Sequence, residues 1–195
     1  MASTLPLPAH PFRVRHPGDG RGPPGPLDLV VEGGAFGSGT HPTTLSCLEI
    51  LATLAPLDGL RVLDLGSGSG ILGLAALRLG AASALCVDLN PEAVESARRA
   101  GAENGLAIRL SHRVGTASDV AGTEFDLVVA NIGGALLVDE AAGIAPLARS
   151  GGRLLLSGLL REGAADLEAA YLARGCRTVD RRFADGFCTV LLARE

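Results

Sequence analysis

Two glycine-rich stretches carry the first residues in this sequence that could do chemistry. The first, "AFGSGTHPTT", covers residues 35–44, and the second, "DLGSGSG", covers residues 64–70. Glycine lets a backbone approach a ligand closely because no Cβ intervenes. One such loop is enough to cradle one ligand, so the presence of two raises the question of what the first loop contributes.

The second stretch joins a strand pattern to a helix pattern in "VLDLGSGSGILGL". Gly68, Gly70 and Gly73 match the spacing of dinucleotide-binding loops, but this match alone is a weak signal. Asp64 precedes the glycines, where its carboxylate would repel a pyrophosphate. S-adenosylmethionine (SAM) has a cationic ammonium and a sulfonium instead. Asp64 therefore favours SAM over a nicotinamide dinucleotide, which stays open as the cofactor of an alternative oxidoreductase.

Two further polar residues are placed to meet a nucleoside. Asp88 ends the next strand pattern, "CVDLN", where an acidic residue accepts hydrogen bonds from ribose hydroxyls in nucleotide-binding sheets. The alternative role of Asp88 is to complete a helix cap with Asn90. Thr116, in "VGTASDV", is placed to contact adenine, and its alternative is an ordinary turn threonine.

Asn131 ends the fourth strand pattern in "VVANIGG" and is the candidate catalytic residue. A carboxamide orients a neutral amine so that the lone pair of the amine nitrogen faces a methyl group, and such catalysis is mostly positioning. Asparagine is also a common turn residue at the end of a strand. The sequence therefore predicts a methyl transfer to an amine if Asn131 faces the ligand.

Alternating strand and helix patterns must position these residues. Near-continuous apolar strands indicate a mainly parallel sheet covered on both faces, whose ligands bind at the carboxyl edge. We expect strands at residues 14–15, 29–31, 61–65, 84–89, 107–113, 125–132, 152–160, 176–185 and 187–194. We expect helices at residues 42–55, 71–80, 90–105, 135–151 and 162–175. The last two strands form a closing hairpin around Asp185-Gly186.

Composition narrows the class of protein. The chain has 195 residues and a net charge of −4, and all 17 of its basic residues are arginines. This length suits one domain, and the charge gives no sign of a nucleic-acid partner. No segment reaches the ~20 apolar residues of a membrane helix, and no secretory signal is evident. The four cysteines have no metal-ligand spacing, so we expect no metal site and a cytoplasmic protein.

The first 34 residues differ from the rest because they are rich in proline and glycine. We therefore divide the chain into an N-terminal arm, residues 1–34, and a domain, residues 35–195.

Five motifs in order resemble the PrmA-type methyltransferases, which modify amines of a ribosomal protein. They are "AFGSGTHPTT", "VLDLGSGSGIL", "VDLNPEAV", "DLVVANI" and "GGRLLLSGLL". The resemblance implies an α/β, Rossmann-like class I methyltransferase fold with a mostly parallel seven-stranded sheet and helices on both faces. It also implies SAM as methyl donor and a protein acceptor.

The resemblance answers the question of the first loop, because it implies that residues 36–44 close over the methionine end of the ligand of the second loop. The family's cofactor contacts match here at Thr44, Gly66, Asp88 and Asn131. His41 is either a base for the substrate ammonium or a helix cap. The cofactor-binding residues that we expect are Phe36, Gly37, Thr40, Thr44, Asp64, Gly66, Ser67, Gly68, Gly70, Asp88, Leu89, Thr116 and Asn131.

Two departures from the family bear on the acceptor. The family usually carries a separate N-terminal domain that grips the ribosomal protein, and 34 residues are too few for it. Gly133-Gly134 replaces a bulkier residue and alanine, which would widen the substrate side of the pocket. Both departures leave a small molecule or peptide open as the acceptor. A non-catalytic SAM-binding module is a further alternative.

Overall fold

The computed structural model describes residues 11–19, 25–34 and 39–195. In these ranges the strands are β1 Arg13–Arg15, β2 Asp28–Val30, β3 Arg61–Leu65, β4 Ser83–Asp88, β5 Leu110–Val114, β6 Phe125–Asn131, β7 Ala148–Leu160, β8 Cys176–Ala184 and β9 Phe187–Arg194. The α-helices are α1 Pro42–Thr53, α2 Ile71–Arg78, α3 Pro91–Glu103, α4 Gly134–Asp139, α5 Ala141–Ile144 and α6 Ala164–Leu172. Within the described ranges, no helix is long and apolar enough to cross a membrane.

Seven strands form one sheet in the order β5-β4-β3-β6-β7-β9-β8. The pairs from β5 to β7 are parallel, and β9 pairs antiparallel with both β7 and β8. The predicted α/β fold with a mostly parallel seven-stranded sheet is therefore confirmed. The closing hairpin is also present, since β8 and β9 pair antiparallel with Ala184 opposite Phe187. Asp185 and Gly186 form its turn, and both have the positive φ angles that a two-residue turn between twisted strands requires.

Both faces of the sheet are buried. Successive side chains of a strand point to opposite faces, so each strand contributes to two separate hydrophobic cores. Leu127 and Val129 of β6 pack in the core beneath α1, α2 and α3. Val128 and Ala130 of the same strand pack in the core beneath α4, α5 and α6. The helices therefore cover both faces, as the apolar strand patterns predict.

One predicted helix is wrong in its extent. Residues 135–151 do not form one helix, since α4 and α5 are followed by a 3-10 turn, Ala145–Leu147, and β7 begins at Ala148. Pro146 lies in that turn, and a proline cannot supply the N–H that a continuing helix needs. Ala148 pairs with Phe125 of β6, so sheet formation replaces the expected last turns.

The described parts of the first 34 residues pack on the domain. β1 and β2 form a parallel pair, and Phe12, Leu29 and Val31 are buried in the core beneath α1. The side chain of Asn104 donates to the carbonyl of Val30 and accepts from its N–H. The division at residue 34 stays a prediction.

Candidate cofactor and acceptor site

The periodicity of the strands brings three polar side chains to one face of the sheet. Asp64 follows buried Val62, Asp88 follows buried Cys86, and Asn131 continues the Val129 face of β6, each at a spacing of two residues. Successive side chains of a strand alternate between faces, so Asp64, Asp88 and Asn131 all point to the side of α1. Each strand thus changes from apolar to polar on this face at its carboxyl end.

The glycine loop after β3 is held by two of these carboxylates. The N–H of Gly68 donates to Oδ2 of Asp88 at 2.9 Å, and the N–H of Gly73 donates to Oδ2 of Asp64 at 2.8 Å. Gly66 has a φ of 67°, and a Cβ there would lie 2.1 Å from the side chain of Ile132. The loop therefore requires glycine at position 66 for both conformation and space.

Two cavities meet at this loop. The polar cavity, of about 490 Å³, is lined by Gly34, His41, Thr43, Thr44, Asp64, Gly66, Ser67, Gly68, Ser69, Ile71, Leu72, Asp88 and Asn131. The apolar cavity, of about 480 Å³, is lined by Leu65, Gly66, Asp88, Leu89, Gly115, Thr116, Ala117, Ser118, Ile132, Leu136, Glu140 and Ile144. Gly66 and Asp88 line both, so a ligand with a polar and an apolar half can span the pair.

Asp88 lies where the two cavities meet, and each of its carboxylate oxygens accepts one hydrogen bond from the residues that the structure describes. Oδ2 accepts from the N–H of Gly68, and Oδ1 accepts from the N–H of Asn90 at 2.9 Å. Asp88 therefore also helps to hold the start of α3, where the side chain of Asn90 is the N-cap. A carboxylate has about four acceptor positions, so each oxygen keeps capacity for a ligand hydroxyl.

Asn131 is half-buried and contacts the first turn of α1. Its Nδ2 donates to Oγ1 of Thr44 at 3.3 Å, and its Oδ1 accepts no hydrogen bond from the residues that the structure describes. Its neighbour on β7 is Ser157, whose buried hydroxyl shares a 2.7 Å hydrogen bond with Thr189 of β9. The carboxamide is thus oriented by α1 on a rigid sheet edge.

His41 is the N-cap of α1. Its Nδ1 accepts from the N–H of Thr43 at 3.4 Å and lies 2.8 Å from the hydroxyl of the same residue. Both contacts use Nδ1 and both go to Thr43, so they fix the ring at the start of α1. The ring also meets Phe187 edge-on, with centroids 5.1 Å apart. This geometry supports the helix-capping role of His41 over the role of a base for the substrate ammonium.

The structure places the remaining predicted residues as follows. Thr44, Asp64, Ser67 and Gly68 line the polar cavity, and Leu89 and Thr116 line the apolar cavity. Thr40 is exposed and Gly70 lines neither cavity. Phe36 and Gly37 lie outside the described residues.

Gly70 serves packing. It begins α2 with a φ of 75°, and a Cβ there would lie 3.0 Å from Cβ of Ala97 on α3. Gly134 is similar, because a Cβ there would lie 2.4 Å from Cβ of Leu159. A Cβ at Gly133 would instead have no atom within 4 Å. Only Gly133 therefore leaves room, and the expected widening at Gly134 is wrong.

Thr116 closes a reciprocal cap. Its hydroxyl lies 2.7 Å from that of Ser118 and donates to Asp119 at 3.1 Å, and Asp119 also accepts from its N–H at 2.8 Å. This is a capping box on a 3-10 turn, Ala117–Val120. The threonine therefore shapes the wall of the apolar cavity with its hydroxyl already bonded.

Burial sets the protonation of Asp64. The side chain is buried, and burial raises its pKa to about 7, an effect that the Gly73 N–H opposes and the charge of Asp88 reinforces. A carboxylate at this depth is stabilised by a cationic ligand more strongly than an exposed one, because water screens it less.

The pKa of Asp64 predicts a pH-dependent stability. Its folded pKa exceeds the ~3.9 of an unfolded chain, so the stability contribution is present below pH ~4 and is lost as pH rises to about 7. Asp64→Asn removes this dependence. Between pH 5 and pH 8, the free energy of unfolding of the ligand-free variant, taken relative to that of the parent, should rise by on the order of 2 kcal/mol. This corresponds to about 4–8 °C in melting temperature.

Differential scanning fluorimetry across that pH range measures the effect. Asp58→Asn makes the same chemical change at an exposed turn before β3 and is the matched control. A difference between Asp64→Asn and parent that stays constant from pH 5 to pH 8 would contradict the shifted pKa.

The lining residues that sequence reasoning missed are mainly apolar. Ile132, Leu136 and Ile144 line the apolar cavity from the segment after β6. In the sequence Ile132 ends a strand pattern, and Leu136 and Ile144 look like core residues of a continuous helix, so no local signal distinguishes them. Ser69 was recognisable, since it lies inside the glycine loop.

Comparisons with known proteins agree with this arrangement. Residues 27–195 match the family model described as "Ribosomal protein L11 methyltransferase (PrmA)". Two relatives with the name ribosomal protein L11 methyltransferase are those of Ectopseudomonas mendocina, 46% identical over 76% of this chain and 50% of the relative, and Symbiobacterium thermophilum, 39% identical over 86% and 54%. The chain thus spans about half the length of the curated relatives it matches.

A solved structure has the same fold. The ribosomal protein L11 methylase of Lactobacillus delbrueckii subsp. bulgaricus superposes with a TM-score of 0.77 at 27% identity, covering 86% of this chain and 84% of that one.

Proposed function

Because the chain belongs to the ribosomal protein L11 methyltransferase (PrmA) family, we propose that it transfers methyl groups from SAM to amines of a ribosomal protein. The observation that carries the proposal is the pair of cavities joined at Asp88. A polar cavity suits the amino-acid half of SAM, an apolar cavity suits adenine, and an acidic residue between them suits the ribose.

The polar cavity fits the methionine half. The hydroxyl of Ser69 is buried and has no hydrogen-bond partner within the described part of the chain, so a ligand carboxylate or ammonium would satisfy it. Asp64 lies beneath the same cavity and favours a positive ligand. The N-terminus of α2 begins after the loop and favours a carboxylate.

The apolar cavity fits the base. Leu65, Leu89, Ile132, Leu136 and Ile144 supply its apolar lining. A flat heterocycle would be removed from water between these side chains. Asp88 has acceptor capacity left for both ribose hydroxyls, beyond its bonds to Gly68 and Asn90.

The residues around Asn131 would position the acceptor. SAM supplies an activated methyl group when bound. The Oδ1 of Asn131 would accept an N–H of the incoming amine, and the bond from Nδ2 to Thr44 fixes that orientation. An amine held this way aims its lone pair along one line, which is the contribution of positioning to the rate. His41 holds α1, and with it Thr44, at the site.

The acceptor class rests on the family. Both relatives compared above are named for ribosomal protein L11, and we extend that acceptor class to this chain. This supports a protein acceptor over the small-molecule alternative. Ribosomal proteins are made in the cytoplasm, where we infer that the activity takes place.

Thermal melting tests the cofactor directly. At a concentration 100 times its dissociation constant, SAM should stabilise the native state by about 2.7 kcal/mol, which raises the melting temperature by about 5–10 °C. NAD at the same concentration should leave the melting temperature unchanged. Stabilisation by NAD and not by SAM would instead support the nicotinamide-dependent alternative.

A further inference from the structure

We propose that the carboxylate of Glu140 accepts a hydrogen bond from the 6-amino group of the cofactor adenine and makes the apolar cavity selective for adenine over 6-keto purines. This inference rests on the proposed function, because it takes SAM as the occupant of the two cavities. It adds a specificity-determining residue that lies outside the glycine loop and the strand ends.

Glu140 lies at the junction of two short helices. Leu136 is on α4, Ile144 ends α5, and Glu140 stands between the two helices. All three residues line the apolar cavity. The two apolar side chains would therefore pack on the base, and Glu140 adds the one acidic side chain from this segment to the same lining.

The carboxylate of Glu140 is available for a ligand. Its side chain is exposed and forms no ion pair or hydrogen bond with any residue that the structure describes. The other polar side chains of the cavity are already bonded. Asp88 accepts two backbone N–H groups, and the hydroxyls of Thr116 and Ser118 bond each other.

The chemistry of a carboxylate sets the selectivity. An ionised carboxylate only accepts hydrogen bonds, so the edge of the base that it meets must present N–H groups. The 6-amino group of adenine presents two. A 6-keto oxygen presents only lone pairs, and the remaining donor on that edge of hypoxanthine is the N–H at position 1. A carboxylate opposite position 6 would therefore face another acceptor in hypoxanthine. The loss of a hydrogen bond to a charged group weakens binding about tenfold or more.

Calorimetric titration with two probes tests this reading. The probes are S-adenosylhomocysteine and S-inosylhomocysteine, which differ in the amino or keto group at position 6. The variants are Glu140→Ala and Glu140→Gln. Asp139→Ala is the matched control, because it removes the neighbouring charge from a residue that does not line the apolar cavity. Melting curves confirm that each variant is folded.

The parent should bind the adenine probe at least about tenfold more tightly than the keto probe. Glu140→Ala should lose most of that preference through weaker binding of the adenine probe. Glu140→Gln should bind the keto probe better than the parent does, since its amide donates. Asp139→Ala should keep the parent's preference.

Three results count against the inference in different ways. An unchanged preference in Glu140→Ala overturns it while the proposed cofactor stands. Equal binding of both probes by the parent overturns it in the same way. A folded parent that binds neither probe overturns the proposed function itself, and the role of Glu140 with it.

Discussion

Asp88→Ala is expected to lower the affinity for SAM by at least about 100-fold. Among the described residues, Asp88 is the one polar side chain that lines both cavities, and the variant would lose two ribose hydrogen bonds to a charged acceptor. Each such bond is worth about 1.5–3 kcal/mol. Calorimetric titration of SAM into parent and variant measures the loss directly.

Controls separate binding from folding. Asp88→Ala also removes the acceptor for the Gly68 and Asn90 N–H groups, so Asp88→Asn is made beside it, because an amide oxygen retains one of these bonds. We expect about a tenfold loss for Asp88→Asn and none for Asp58→Ala, at the opposite edge of the sheet. Tight SAM binding by a folded Asp88→Ala would refute the ribose role.

Asn131→Ala is expected to lower kcat about 100- to 1000-fold and to weaken the binding of SAM by a much smaller factor. The carboxamide would contact the acceptor amine as it reacts, and removing one such preorganised group costs this much in other enzymes. Transfer from labelled SAM to ribosomal protein L11 gives kcat, and calorimetry gives the affinity.

A smaller effect at Thr44 supports the same geometry. Thr44→Val removes the acceptor that holds Nδ2 of Asn131, and we expect about a tenfold loss in kcat. Thr53→Val makes the same chemical change at the far end of α1 and should be neutral for turnover. If Asn131→Ala turns over like the parent, Asn131 is only a strand-end residue.

Much of the fold could be predicted because its signals are local. Asn90 and Pro91 mark the start of α3, and Asp185-Gly186 marks the turn of the closing hairpin. The failure at residues 135–151 has a non-local cause. Ala148 leaves a helical pattern to pair with Phe125, and that pairing depends on strands far apart in the chain.

The site could be predicted in part for the same reason. Asp64, Asp88 and Asn131 interrupt apolar strands at their carboxyl ends, and a parallel sheet brings such ends together. The wall formed by Leu136, Glu140 and Ile144 depends on how the segment after β6 folds back, which no local pattern encodes. Gly70 matched a ligand-loop spacing but serves the contact with α3.

The central claim, methyl transfer to an amine of a ribosomal protein, is tested most directly by incubating the chain with labelled SAM and purified ribosomal protein L11. The absence of lysine from this chain keeps its own side-chain amines out of the background. Mass spectrometry should show methyl groups on lysine or N-terminal amines of the ribosomal protein, and Asn131→Ala should largely abolish them. An unlabelled ribosomal protein, alongside label in a small-molecule extract, would contradict the claim and assign this catalytic domain another acceptor.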